Sequence, residues 1–106
     1  MDAPFWRHSI TRAEGTSTVA FSGELDMGDD PAVRRLLLHE LQRPDVVFLA
    51  VDLAGVTSLD SSMVAALVHA HGTARTSGRR FTVTRPSDRV RRILTVTGVL
   101  DILDTA

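Results

Sequence analysis

Asp60, Ser61 and Ser62 are the residues of this chain whose types and spacing could do chemistry. A polar, turn-like stretch from Thr57 to Ser62 separates an apolar run from the start of a helical pattern at Met63-Val64. In an open α/β sheet, ligands and partners meet the carboxyl ends of strands. A helix start also exposes unpaired N–H groups and a partial positive charge, which favour an anion. A phosphoryl group on Ser61 would bring about −1.5 to −2 charges to such a place. It would alter the surface offered to a partner while the fold tolerates it. Plain capping accounts for the same residues, because Asp60, Ser61 and Ser62 are all good N-caps. A hydrolytic nucleophile does not fit, since no Gly-x-Ser-x-Gly elbow brackets Ser61. Gly23 and Gly28 build no phosphate loop, because the chain has no Gly-Lys-Ser/Thr pattern and no Lys at all.

The elements that must position these residues alternate along the chain. Trp6 to Thr11 reads as a first strand, with Trp6 and Phe5 packing on the sheet. Glu14-Gly15 supplies a turn, and Ser17 to Leu25 alternates with a period of two, Val19 and Phe21 on one face. Asp29 or Asp30 then caps a helix, Pro31 suits its first position, and Val33, Leu36, Leu37 and Leu41 share a face. Pro44 ends it. Val46 to Val51 is a continuous apolar run, as expected of a strand covered on both faces. A second helix carries Val64, Leu67, Val68 and Ala74 inward and stops at Gly78. Arg80 to Thr84 is the next strand. Pro86 starts a third helix with Val90, Ile93 and Leu94 buried, Gly98 ends it, and Leu100 to Leu103 forms a last short apolar element. The order β-β-α-β-α-β-α implies a mixed sheet packed with helices and right-handed crossovers.

Composition narrows the function. At 106 residues and 43% hydrophobic content the chain is expected to be one globular domain, residues 1–106. It has no cysteine, so disulfides, thiolate metal sites and cysteine nucleophiles are excluded. No apolar run reaches the roughly 18 to 20 residues of a membrane span, and no signal peptide is visible, so no membrane insertion and a cytoplasmic location are expected. The net charge is −1 and all twelve basic residues are Arg. Arg85, Arg89, Arg91 and Arg92 cluster without interleaved aromatics, which reads as a solvated helix face or a rim for an acidic partner rather than a nucleic-acid footprint. The four His residues make no metal site: His69 and His71 lie two apart on a helix and face different ways, and His71 near the apolar stripe reads as packed. No catalytic residue, metal ligand or cofactor site can be assembled, so the chain is not expected to be an enzyme.

Gly23-Glu24-Leu25-Asp26, Asp52-Leu53-Ala54-Gly55-Val56, Leu59-Asp60-Ser61-Ser62 and Ser87-Asp88-Arg89-Val90-Arg91-Arg92-Ile93-Leu94 with Thr97-Gly98 resemble, in order and spacing, the motifs of STAS domains. The resemblance runs from about Ile10 to Leu103. It implies an α/β fold, a single STAS-like domain with a mixed sheet of four or five strands and three to four helices. It further implies an anti-sigma factor antagonist. Such a protein binds an anti-sigma factor that is also a serine kinase, which frees a sigma factor. The kinase then phosphorylates the serine after the motif aspartate, here Ser61, and a serine phosphatase resets it. Asp26, Asp60, Ser61, Ser62 and Met63 would belong to the partner surface, with Asp26 and Asp60 orienting the hydroxyl before transfer. The family usually carries Gly where this chain has Met63, and a further small residue close behind it. A long side chain there is expected near the target hydroxyl. The alternative role within the family is a non-phosphorylated subunit of a transporter or a larger signalling assembly.

Overall fold

Why the chain turns where it does is plain at its first hairpin. The computed structural model describes residues 6–25 and 28–103. Glu14 and Gly15 take positive φ, 53° and 81°, and fold β1 (Trp6–Ala13) back on β2 (Thr16–Leu25) as an antiparallel pair. α1 (Asp30–Leu41) leads to β3 (Phe48–Leu59), which lies parallel to β2. α2 (Ser61–Thr76) leads to β4 (Arg80–Thr84), parallel to β3. α3 (Asp88–Val96) follows, and the sheet order is β1-β2-β3-β4. The expected α/β class, mixed sheet and strand count are therefore present, with three helices among the described residues.

One face of the sheet is apolar and buried. Val19 and Phe21 of β2, Leu49, Val51 and Leu53 of β3, and Phe81 and Val83 of β4 are at most 4% exposed. They join Val33 and Leu37 of α1, Leu67 and Ala74 of α2, and Val90 and Leu94 of α3 in one core. The second face departs from the expectation of cover on both sides. Register places Thr16, Thr18 and Ala20 beside Phe48, Ala50 and Asp52, with Arg80, Thr82 and Thr84 beyond. That face is polar and mostly half-exposed. The apolar run misled because Val46 is buried ahead of the strand and Val47 is 60% exposed.

β3 is longer than its apolar run, and this corrects the turn-like reading of Thr57 to Leu59. Two register shifts against β2, between Ala20 and Ser22 and between Gly23 and Glu24, each admit an extra β3 residue. Each extra residue resets the two-residue alternation. Burial therefore steps from Leu53 to Val56 and then to Leu59. Gly23 takes φ 96° at the second shift, a conformation open to glycine. Gly55 is needed for a different reason: a Cβ there would lie 2.8 Å from the Ser22 Cβ. Gly55→Ala is thus expected to destabilise the fold by about 1–3 kcal/mol through forced separation of β2 and β3. A urea titration would show it as a lower midpoint with an unchanged slope.

Three helix details also differ from expectation. Pro31 is the second residue of α1, and its N-cap Asp29 makes no side-chain capping hydrogen bond. Ser87, not Pro86, opens α3, its Oγ accepting from the Val90 amide at 3.3 Å. Residues 100–103 form turns rather than a further helix or strand, pinned by the Leu103 amide donating to the Val99 carbonyl at 3.1 Å. Phe5 lies outside the described residues, while Trp6 is half-buried and packs against Phe21 at 5.8 Å between rings.

Glu40 is a buried charge on the inward face of α1. It is wholly buried, yet Arg12 of β1 meets it through two hydrogen bonds of 3.0 and 2.8 Å, and the Ser17 hydroxyl donates a third at 2.6 Å. The Arg12 fork, reinforced by Ser17, holds the Glu40 carboxyl at about 2 against the opposing effect of burial. This clasp ties the hairpin to α1.

Candidate functional site at the start of α2

The parallel β2–β3 pair ends at Leu25 and Leu59, and the chain turns at once into α2. The Asp60 amide donates to the Leu25 carbonyl at 3.3 Å, fastening this turn to the end of β2. Asp60 is extended, with φ −97° and ψ 178°, as an N-cap must be. Its Oδ1 accepts from the Met63 amide at 3.0 Å and from the Ser62 hydroxyl at 2.8 Å. The capping duty thus falls to Asp60, and Ser62 is tied to the cap.

Ser61 is left as the exposed first residue of a sixteen-residue helix. It lines a groove of about 630 Å³ together with Val64, Val68 and Val99, and with Arg34 and His69. A dianion on Ser61 would sit at the positive end of α2 and face this groove.

The remaining site residues separate clearly. Met63 is fully buried, which corrects its assignment to the partner surface and its expected place near the Ser61 hydroxyl. Being two residues into the helix, it points to the core side while Ser61 points out. Met63 therefore changes the packing beneath the site. Asp26 lies outside the described residues. His71 is buried and meets the edge of Phe81 at 5.8 Å, as expected of a packed histidine, and His69 is exposed. Arg85, taken with the α3 arginines in the sequence, instead bonds Asp52 across the strand ends. Burial opposes ionisation of Asp52, but the Arg85 fork and the Ala54 amide outweigh it and lower its pKa. Arg89, Arg91 and Arg92 are exposed on α3.

Removing the cap gives a local test. Asp60→Ala is expected to cost about 1 kcal/mol of stability by leaving the Met63 amide unpaired, with Asp60→Ser recovering most of it. Thermal unfolding of the two variants side by side measures the difference.

A small mixed sheet whose β2–β3 crevice ends in an exposed serine at a helix start defines a class of domain, and sequence comparison says which. The family model described as the MlaB, STAS domain matches residues 8–104, so the chain belongs to the STAS-domain family. No curated relative matches it in sequence. Among solved structures it is similar to an anti-sigma factor antagonist from Mycobacterium paratuberculosis, with TM-score 0.85 and 24% identity over 99% of this chain and 89% of that one. It is also similar to the anti-sigma factor antagonist SpoIIAA in its unphosphorylated form, with TM-score 0.80 and 18% identity over 94% and 88% of the two chains. A third likeness is to the murine anion transporter of the solute carrier 26 family, with TM-score 0.74 and 17% identity over 86% of this chain and 15% of that one. At these identities the structural matches speak for the fold. No helix among the described residues is long and apolar enough to cross a membrane.

Proposed function

We propose that this chain, residues 1–106 acting as one STAS-like domain, is an anti-sigma factor antagonist switched at Ser61. Unmodified, it binds an anti-sigma factor that is also a serine kinase and so releases a sigma factor. Phosphorylation of Ser61 ends that binding, and a serine phosphatase restores it. On this reading the chain is a substrate and a binding partner in the cytoplasm, not an enzyme.

The observation that carries the reading is the division of labour at the head of α2. Asp60 caps the helix, so the Ser61 side chain is exposed and has no structural duty as a cap. An apolar groove beside it gives a partner something to cover. The kinase and the helix end both gain from that placement: the hydroxyl is within a partner's reach, and the product anion is favoured where it forms. Asp60 and Ser62, the two sequence neighbours of Ser61, are bonded to each other, and the family resemblance makes Asp26 of the first motif the second acid of the transfer site. Asp26→Asn should slow phosphoryl transfer to Ser61 several-fold in a timed reaction with the cognate kinase and ATP. Unchanged kinetics would remove Asp26 from the site. The broader test is binding: the unmodified chain should hold the kinase, and the kinase-treated chain should not.

A second reading has its own support. The matched family model is an MlaB-type STAS domain, and a transporter contains a segment of this fold. A non-phosphorylated subunit attached to a transporter would use the same groove for docking. Stable co-purification with a transporter ATPase, together with full function of Ser61→Ala, would select that role.

A further inference from the structure

The far end of α2 carries a cavity that the Ser61 switch does not use. It measures about 570 Å³ and is lined by Arg75, Arg79 and Arg80, with His71, the Phe48 and Phe81 rings and Asp101. Three arginines and one aspartate line it, so the lining is net positive in a chain whose net charge is −1.

Two of the arginines sit on pinned backbone. The Arg79 amide donates to the Ala74 carbonyl at 2.8 Å as α2 ends. The Arg80 amide donates to the Val47 carbonyl at 2.9 Å, and its guanidinium lies 4.7 Å from the Phe48 ring centroid. Stacking of this kind keeps the guanidinium fork flat and its edge available. Arg79 shows what is missing: its Nη1 is buried and has no hydrogen-bond partner among the described residues. A buried donor on a charged group is costly to leave unmade, and most are satisfied by protein, water or ligand. A planar donor fork of this sort matches the oxygens of a phosphate group, which it binds through paired charge-assisted hydrogen bonds.

We propose that this cavity is an oxyanion site that takes a phosphate group, held between the half-buried Arg79 and the exposed Arg75 and Arg80. Arg75 lies fourteen residues after Ser61, about 21 Å along the helix at 1.5 Å per residue. The two sites can therefore be occupied at once, and this site stands whether or not Ser61 is a switch. The same group can come from a soluble phosphate ester or from a phospholipid headgroup.

Calorimetric titration of the full chain at fixed ionic strength tests the assignment, with inorganic phosphate in one arm and phosphatidylglycerol vesicles in the other. Saturable binding is expected, weakened about tenfold or more by Arg79→Gln, as loss of a charge-assisted bond implies. Arg75→Gln, on the exposed side, should weaken it in the same sense and keeps the test intact if Arg79→Gln does not fold. Arg91→Gln on α3 should leave it unchanged. Arginine-dependent binding of phosphate assigns the soluble source, and arginine-dependent binding of vesicles alone assigns the headgroup. Absence of saturable binding in both arms overturns the proposal. So does binding that neither cavity variant weakens, or that Arg91→Gln weakens equally.

Discussion

Phosphorylating Ser61 is expected to weaken binding of the anti-sigma kinase by about a hundredfold or more, whereas Ser61→Ala should bind as the unmodified chain does. The reason is where the charge arrives. Val64, Val68 and Val99 line the groove beside Ser61, and a partner seated on them removes water from its rim. A group of about −1.5 to −2 charges must then be desolvated or held away from the partner. Charge mismatch at an interface costs several kcal/mol, and each 1.4 kcal/mol is tenfold in affinity. The fold itself should not register the change, because the anion joins the positive end of α2. Ser61→Asp should fall between the two states, since one carboxylate supplies only part of the charge and fewer acceptor oxygens. Titration of the kinase with the three forms, alongside their unfolding curves, separates an interface effect from a folding effect.

Glu40→Gln is expected to cost about 2–3 kcal/mol of stability at neutral pH, because Arg12 and Ser17 lose a charged acceptor. Against the 5–15 kcal/mol typical of a domain, that is a large fraction. Arg12→Ala should be worse. It strands a fully buried carboxylate, while Glu40→Gln leaves an Arg12 side chain that is 38% exposed and can turn to water. The pH dependence has a definite sign. Glu40 is held at about 2 against an ordinary 4.5, so its folded pKa is depressed. Its contribution is therefore complete above the unfolded value and fades as pH falls from about 5 toward 2. Glu40→Gln should flatten that acid limb, and Arg12→Ala should remove or reverse it, because burial then raises the Glu40 carboxyl and protonation relieves the stranded charge. Urea midpoints at pH 7, 4 and 3 for the three chains measure both the order and the slope.

Local chemistry made much of the fold readable. The Glu14-Gly15 turn, the alternation of Val19 and Phe21, and the stops at Gly78 and Gly98 are each signalled within a few residues, and the structure keeps them. What failed depended on contacts distant in sequence. The continuous apolar run stops at Val51, while the extension of β3 to Leu59 depends on register shifts against β2 that no window of β3 reveals. The open second face is hidden for a similar reason: an apolar run does not say what lies opposite it. Glu40 did carry a signal, since it falls seven residues after Val33 on the stripe of α1. Its partner Arg12, 28 residues away, had none. At the site, Asp60 and Ser61 could be named but not told apart as cap and exposed serine. That required the Asp60 backbone angles and its bond to the Met63 amide. The length of Met63 suggests reach toward Ser61, whereas its position on the helix sends it into the core.

The most direct measurement is intact mass of the chain after incubation with its anti-sigma kinase and ATP, with Ser61→Ala treated in parallel. One added phosphoryl group is expected on the natural chain, none on Ser61→Ala, and recovery of the starting mass with a serine phosphatase. A phosphoryl group that persists on Ser61→Ala, or a natural chain that gains none while bound to the kinase, would contradict it.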